Sequence, residues 1–299
     1  MKLNAFLIIA HNNFQILESI LTLLDHEEND FYLHIDAKVK DFDQSRFQNL
    51  CRKSSVYFVG RVNCTWGAYS QIDCEYQLLK EAVKQEYAFF HLISGVDMPI
   101  KTAEQINTFF RNHMGENFID LHDFAEKQPE HFIYDRVRYY HFMQEHLGKW
   151  TKENPFHKLG YKIIEELSLR IQKLLRIDRT KNLNYPLHKG TQWFSISKEM
   201  ADYIVSCEPE VQKLCHYGWC VDEVFLQTMA YRSPYADTIV NNCLRYVDWK
   251  RGRPYIFQSS DLEELLSAPE NMLFARKFDF NTDAEIIRLL KEKLSSHTN

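Results

Sequence analysis

In the first third of the chain, apolar runs alternate with stretches of helical periodicity. Ala5-Phe-Leu-Ile-Ile-Ala10 is an unbroken apolar run, the pattern of a strand buried on both faces. Phe14, Leu17, Ile20, Leu21 and Leu24 then recur at the spacing of one helix face. Phe31-Tyr-Leu-His-Ile-Asp36 predicts a second strand ending in a carboxylate, and Val56-Tyr-Phe-Val59, after a polar helix, predicts a third. Tyr69 to Lys84 is periodic as a helix, and Tyr87-Ala-Phe-Phe-His-Leu-Ile93 predicts a fourth strand. Strands alternating with helices imply a mainly parallel sheet covered on both faces, whose ligands lie beyond the carboxyl ends of the strands. His11, Asp36 and Asp97 each follow a strand candidate, so they are expected to converge on one crevice.

The second half is less regular. Thr102-x-x-Gln105 has the form of a capping box, and Asn117-Phe-Ile-Asp-Leu121 predicts another strand. From about Asp123 to Lys189 the chain is rich in Tyr, His, Lys and Arg and holds an amphipathic segment, Phe156 to Leu175. This stretch reads as a helical insertion or lid. Strand character returns at Gly190 to Ser197, and a helix is predicted from Asp222 to Tyr231. Ser260-x-x-Glu263 and Thr282-x-x-Glu285 mark later helix starts. No internal repeat and no linker rich in Pro and Gly divides the chain. Residues 1–299 therefore read as one α/β domain, with halves 1–122 and 190–299 around the helical insertion 123–189.

Composition narrows the function classes. A net charge of −5 argues against a general nucleic-acid binder, while leaving room for a local basic pocket on a phosphate. Aromatic residues reach 14%, which suits either a well-filled core or surfaces that stack on sugars. The seven cysteines are odd in number, scattered and without a Cys-x-x-Cys pair, so they read as reduced thiols rather than as disulfides or a zinc site. The apolar run after Lys2 is too short for a signal peptide, and no stretch reaches the length of a membrane span. A cytoplasmic protein is expected. The sequon Asn63-Cys64-Thr65 reads as a chance occurrence.

The glycine-rich phosphate loops and the Gly-x-Ser-x-Gly elbow are absent from the sequence. Asp41-Phe42-Asp43 lies in a polar stretch rather than after a strand, which predicts a solvated helix start in preference to a metal site. Other segments are more specific as an ordered set. They are Ile-Ile-Ala-His11, Leu-His-Ile-Asp36, Trp66-Gly67, His91-Leu-Ile-Ser-Gly-Val-Asp97-Met-Pro-Ile-Lys-Thr102, Gly190-Thr-Gln-Trp-Phe-Ser195, Val221-Asp222-Glu223 and Leu273-Phe-Ala-Arg276-Lys277-Phe278. In this order they resemble the core-2/I-branching β-1,6-N-acetylglucosaminyltransferase and peptide O-xylosyltransferase family, glycosyltransferase family 14, over about residues 3 to 280. Val221 stands where that family usually has Pro.

The resemblance implies a GT-A-like fold, inversion at the anomeric carbon, a UDP-sugar donor, and no obligatory metal or cofactor. It maps the catalytic base onto Glu223, in a position that would also serve merely to cap a helix. Lys277 maps to a diphosphate-binding lysine, and either Arg251 or Arg253 to its arginine partner; Arg253 is the choice carried forward. Asp36 and His11 map to the uridine edge, where a turn-forming Asp and a core His are the alternatives. Asp97 maps beside the donor sugar or serves a turn. Trp66 and Trp193 form either a sugar-stacking wall or plain core, and Arg136, Arg138, Tyr139 and Tyr140 fall on the acceptor side. UDP-GlcNAc is the first donor implied and UDP-xylose the second. The acceptor would be a glycan, free or lipid-linked, in bacterial surface polysaccharide assembly. Lys and Arg of residues 149 to 181 are placed to rest on anionic lipid at the inner face of the cytoplasmic membrane. Two rivals remain open: a carbohydrate-binding protein without turnover, and a metal-dependent transferase using Asp41 and Asp43.

Overall fold

The four early apolar runs form strands β1 (Lys2–Ala10), β2 (Asn29–Ile35), β3 (Val56–Phe58) and β4 (Tyr87–Ser94). Helices α1 (Phe14–Leu23), α2 (Gln44–Gln48) and α3 (Ser70–Ala82) connect them. A computed structural model describes residues 2–122, 131–148, 155–252 and 254–296. The four strands pair in parallel in the order β3-β2-β1-β4. Every residue of β2 and β4 is buried, as their lack of apolar/polar alternation requires. Ala10 pairs with Ile35 and Ile9 with Ser94, so the three central strands end at one level.

The chain continues through β5 (Asp97–Pro99), α4 (Ala103–Asn112) and β6 (Asn117–Ile119). The capping box at Thr102 is formed, with Gln105 as its reciprocal partner. Helices α5 (His131–Arg138), α6 (Gln144–Leu147) and α7 (Pro155–Leu174) lie within the expected insertion. Strand β7 (Phe194–Ser197) runs antiparallel to both β4 and β6. Helices α8 (Lys198–Ser206), α9 (Glu208–Cys215) and α10 (Phe225–Arg232) follow, then β8 (Ile239–Val240) and β9 (Arg245–Val247). The chain closes with α11 (Leu262–Leu266), β10 (Phe274–Arg276) and α12 (Ala284–Ser295). The main sheet has the order β3-β2-β1-β4-β7-β6-β8, and a second, three-stranded sheet has the order β5-β10-β9. The α/β class with a mainly parallel sheet flanked by helices is therefore as expected.

Several local expectations are corrected. Strand character begins at Phe194 rather than Gly190, because Gly190 is pressed against the main chain of Asp120: a Cβ there would sit 1.7 Å from that carbonyl oxygen. The helix expected from Asp222 is a short 3-10 turn, Val221–Glu223, followed by α10. The later helix starts shift as well. Gln258 and Asp261 form a capping box ahead of α11, and the Asp283 carboxylate, rather than Thr282, accepts the first amides of α12.

The sheet separates two hydrophobic layers. Tyr76, Phe90, Phe194 and Phe225 lie in one, with α3, α8 and α10; Phe6, Phe31, Phe89, Phe110 and Phe274 lie in the other, with α1, α4 and α12. Most of the aromatic excess is thus spent on core, where each buried ring is worth about 1.5–3 kcal/mol. Arg245 of β9 staples the second sheet to the first. Its buried guanidinium donates to the carbonyls of Leu92 and Phe194 at 2.8 and 2.9 Å, and burial lowers its pKa to about 10. All seven cysteines are free thiols.

Candidate active site

Because the central parallel strands end together, their following residues line one edge. Asp36 is buried; its amide donates to the Ala10 carbonyl at 3.0 Å and its Oδ1 accepts from the Lys38 amide at 2.8 Å. Its second oxygen lies 3.7 Å from Lys38 Nζ. His11 is exposed at the mouth. Desolvation of its ring lowers its pKa, Asp36 opposes this, and the charges of Lys38, Arg276 and Lys277 add to the lowering. The same electrostatic neighbourhood thus holds His11, Asp36, Lys38, Arg276 and Lys277. It is the basic patch that an acidic chain keeps local.

Asp97 sits behind this patch rather than in it. It is fully buried, its Oδ2 accepts from the Ser94 amide at 2.8 Å, and its Oδ1 pairs with Arg276 at 2.7 Å. Gly95 makes the preceding turn possible, since a Cβ there would lie 2.7 Å from Cβ of Ala10. The Arg276 guanidinium lies over the Trp193 ring at 4.4 Å, and Trp193 is buried. Lys277 follows directly, with its carbonyl bonded by the Phe257 amide at 3.0 Å, so the basic segment is fixed at both the chain and the side-chain level.

Glu223 ends the 3-10 turn Val221–Glu223. Its Oε2 accepts from Arg136 at 2.9 Å and lies 3.5 Å from Lys189. Oε2 is thus held by two cations, while the side chain as a whole is 38% exposed. The turn is built around its cation. Arg136 also donates to the Cys220 carbonyl at 2.7 Å, and its own carbonyl accepts from the Trp219 amide at 2.9 Å. Cys220 takes a left-handed conformation, φ 49°, costing about 1 kcal/mol or more for a non-glycine residue. The Cys220 amide, donating to the Gly67 carbonyl at 2.8 Å, helps to hold it there. That contact brings in the Trp66-Gly67 loop, where Gly67 has φ +72° and Trp66 is 48% exposed. The 190–193 segment links the two sides: the Gly190 amide donates to the Glu223 carbonyl at 3.1 Å, and Trp193 lies under Arg276.

Two carboxyl groups lie buried behind Glu223. Burial, then the charge of Glu223, raises Asp222 to about 7 against the pull of Arg136. Burial, with Asp222 adding, pushes Glu75 well above the usual range. Gln71 donates to Asp222 at 3.2 Å and Gln192 to Glu75 at 3.0 Å, while Asp222 Oδ1 and Glu75 Oε2 have no hydrogen-bond partner. Both groups are suited to the neutral, protonated form at neutral pH or below it.

The remaining candidates distribute as follows. Arg253 lies outside the described residues. Arg251 is engaged by Asp248, Asp261 and Glu264, and braces that loop. Asp43 caps α2 by accepting from the Arg46 amide, and Asp41 is exposed; among the described residues no group of three or more His, Cys, Asp or Glu is placed to hold a metal. Arg138 pairs with Asp135 and Asp178, and Tyr139 lies under Lys173. Tyr140 stacks on Phe142 and lines a cavity of about 350 Å³ with Arg179, Lys213, His216 and Tyr217. Sequence reading gave Lys189 no role beyond ending the insertion, and did not see the Glu75–Asp222 or Asp97–Arg276 pairs. For Lys189 a signal existed: the glycine after it, just before a strand, marks a close backbone approach.

A family model described as Core-2/I-Branching enzyme matches residues 4–264 of the chain. Xylosyltransferase 1 of Mus musculus is 23% identical over 323 residues, covering 98% of this chain and 30% of that protein. Beta-1,3-galactosyl-O-glycosyl-glycoprotein beta-1,6-N-acetylglucosaminyltransferase of Homo sapiens is 23% identical over 327 residues, covering 97% of this chain and 69% of its own length. The chain thus spans about a third of the length of the xylosyltransferases it matches. Among solved structures, mouse xyloside xylosyltransferase 1 in its apo form aligns with a TM-score of 0.39 and 11% identity, over 92% of this chain and 97% of that one.

Proposed function

The chain belongs to the Core-2/I-branching enzyme family of glycosyltransferases, and from that premise we propose that it is an inverting enzyme of GT-A type. It moves a sugar, GlcNAc first and xylose second, from a UDP-sugar to a glycan hydroxyl. The observation that carries this reading is the Glu223 carboxylate, with Oε2 held by Arg136 and Lys189 and the side chain 38% exposed. In the proposed step Glu223 takes the proton of the acceptor hydroxyl as that oxygen attacks the anomeric carbon. The bond from that carbon to the diphosphate breaks on the opposite face, and UDP leaves with the electron pair. Lys277 and Arg253 offset the charge that builds on the diphosphate, so no obligatory metal or cofactor is assigned. His11 and Asp36 take the uridine edge, and Trp66 and Asp97 border the donor sugar, Asp97 acting through Arg276. The acceptor is a free or lipid-linked glycan, and the proposed setting is surface polysaccharide assembly at the cytoplasmic side of a bacterial membrane.

The reading is tested by UDP release from a panel of UDP-sugars, with and without EDTA. Release from one donor, unchanged by EDTA, is the expected result and names the sugar. Absence of binding to every UDP-sugar overturns the proposal, and release abolished by EDTA moves the chemistry to a metal.

A further inference from the structure

Helix α7 is inside out. Its polar residues Glu165 and Gln172 are buried, whereas Leu159, Ile163, Ile164, Leu167, Ile171 and Leu174 are exposed, at 46% to 82%. The inward face is fixed by polar bonds. Glu165 accepts from the Met143 amide at 3.1 Å and pairs with His141 at 2.9 Å. Gln172 clamps the main chain of Tyr140, accepting from its amide at 2.7 Å and donating to its carbonyl at 2.8 Å. These contacts fix the rotation of the helix, so the aliphatic stripe points outward by construction. At 3.6 residues per turn the six exposed side chains cover an arc of roughly 140°.

The charges beside the stripe identify what covers it. In projection Arg170 lies between Leu159 and Ile163 at one edge of the stripe, and Glu166, Lys173 and Lys162 follow outside it, with Lys162 4.0 Å from Glu166. Residues 155–181 carry seven Lys and Arg against three Asp and Glu, within a chain whose net charge is −5. A broad aliphatic face bordered by cations is the pattern of a helix lying in the plane of a lipid surface. A two-helix seam between copies of the chain would need only a narrower stripe.

We infer that α7 is an in-plane lipid-binding helix, seated with its aliphatic stripe in the acyl boundary of a membrane rich in anionic headgroups. No helix among the described residues is long and apolar enough to cross a membrane, so this contact is peripheral. It also orients the molecule. The 136–142 segment, which Gln172 and Glu165 hold on one side, supports Glu223 through Arg136 on the other.

The test is co-sedimentation of the full chain with vesicles of phosphatidylcholine, alone or mixed with phosphatidylglycerol. Binding is expected to the mixed vesicles and to weaken as salt is added. Leu167→Asp with Ile171→Asp should lower the partition coefficient at least about tenfold on both vesicle types. Arg170→Glu with Lys173→Glu should remove only the preference for anionic lipid. Circular dichroism and thermal melting are expected to change little in both variants, since Leu167, Ile171 and Arg170 are exposed and Lys173 gives up only its contact over Tyr139. Wild-type protein that stays in the supernatant with the mixed vesicles overturns the inference. So does a dimer, seen by light scattering, that Leu167→Asp with Ile171→Asp converts to monomer, because the stripe is then covered by a second copy. Sedimentation reads lipid alone, so its outcome is independent of whether sugar is transferred.

Discussion

Nη1 of Arg136 lies 2.9 Å from Oε2 of Glu223 and 2.7 Å from the Cys220 carbonyl, so one buried cation both shapes the 218–223 turn and aims its carboxylate. Removing it acts on both. Arg136→Ala should cost about 1.5–3 kcal/mol of stability, the scale of a hydrogen bond to a charged group. Turnover should fall at least about tenfold with little change in donor affinity, because the proposed general base, Glu223, loses its orientation. Unaltered turnover in a folded variant would remove Arg136 from this role.

Glu223 itself is tested by an isosteric change. Glu223→Gln keeps the Arg136 contact through its amide oxygen but supplies no base. Turnover should drop roughly 10²-fold or more, the usual weight of general-base catalysis, while UDP affinity measured by calorimetry stays nearly intact. A protein that only binds carbohydrate would have no turnover to lose, so wild-type activity and its loss here decide between the two readings.

The buried carboxyl groups predict a pH dependence. Asp222 in the folded state titrates near 7, above its ordinary 3.8. A raised carboxyl pKa means that folding favours the protonated form. Its contribution is fully present below the unfolded pKa and is lost as pH rises from about 4 through 7. Asp222→Asn, neutral at every pH, should therefore melt higher than wild type at pH 8 and show a flatter decline over that window. The gain should be on the order of 1–4 kcal/mol. Glu75→Gln should shift in the same direction. Parallel melting curves for wild type and both variants would mean that neither group carries a proton in the folded state.

What the sequence made legible depends on the range of the interaction. β1, β2 and β4 were readable because a continuous apolar run is a local pattern, and the common level at which they end follows from their parallel pairing. For Lys189 the sequence offers only the hint of Gly190, because its role depends on how Gly190 packs against Asp120 and Glu223, residues distant in the chain. The Glu75–Asp222 relation is hidden for the same reason: each reads locally as an ordinary helix-terminal or helix-surface acid. In α7 the periodicity was visible but its direction was not. Only the bonds of Glu165 and Gln172 reveal that the apolar side is the outer one.

In the proposed mechanism Lys277 lies on the leaving-group side. Its charge reaches His11, and the Arg276 beside it is already committed to Asp97. Lys277→Ala should weaken UDP by about 1.5–3 kcal/mol, roughly 10- to 150-fold in Kd. Unfolding should change little. Equal UDP affinity would assign the diphosphate to other cations.

Arg276 and Asp97 provide the most direct separation of positioning from binding. Asp97 is fully buried and Arg276 is its cation, so Arg276→Met strands a carboxylate in the interior and should cost about 3–5 kcal/mol. Asp97→Asn in the same chain removes the stranded charge while its amide oxygen can take over the bond from the Ser94 amide, so the double variant should recover most of that stability. The sugar then distinguishes the roles. If Asp97 acts by holding Arg276 over Trp193, the double variant regains stability but keeps a raised donor KM, because the cation is still missing from the cleft. If Asp97 bonds the donor directly, Asp97→Asn alone should raise KM as much as the double variant does. Equal KM in wild type and both variants would leave the pair with a purely structural role, joining β5 to β10 beneath the site.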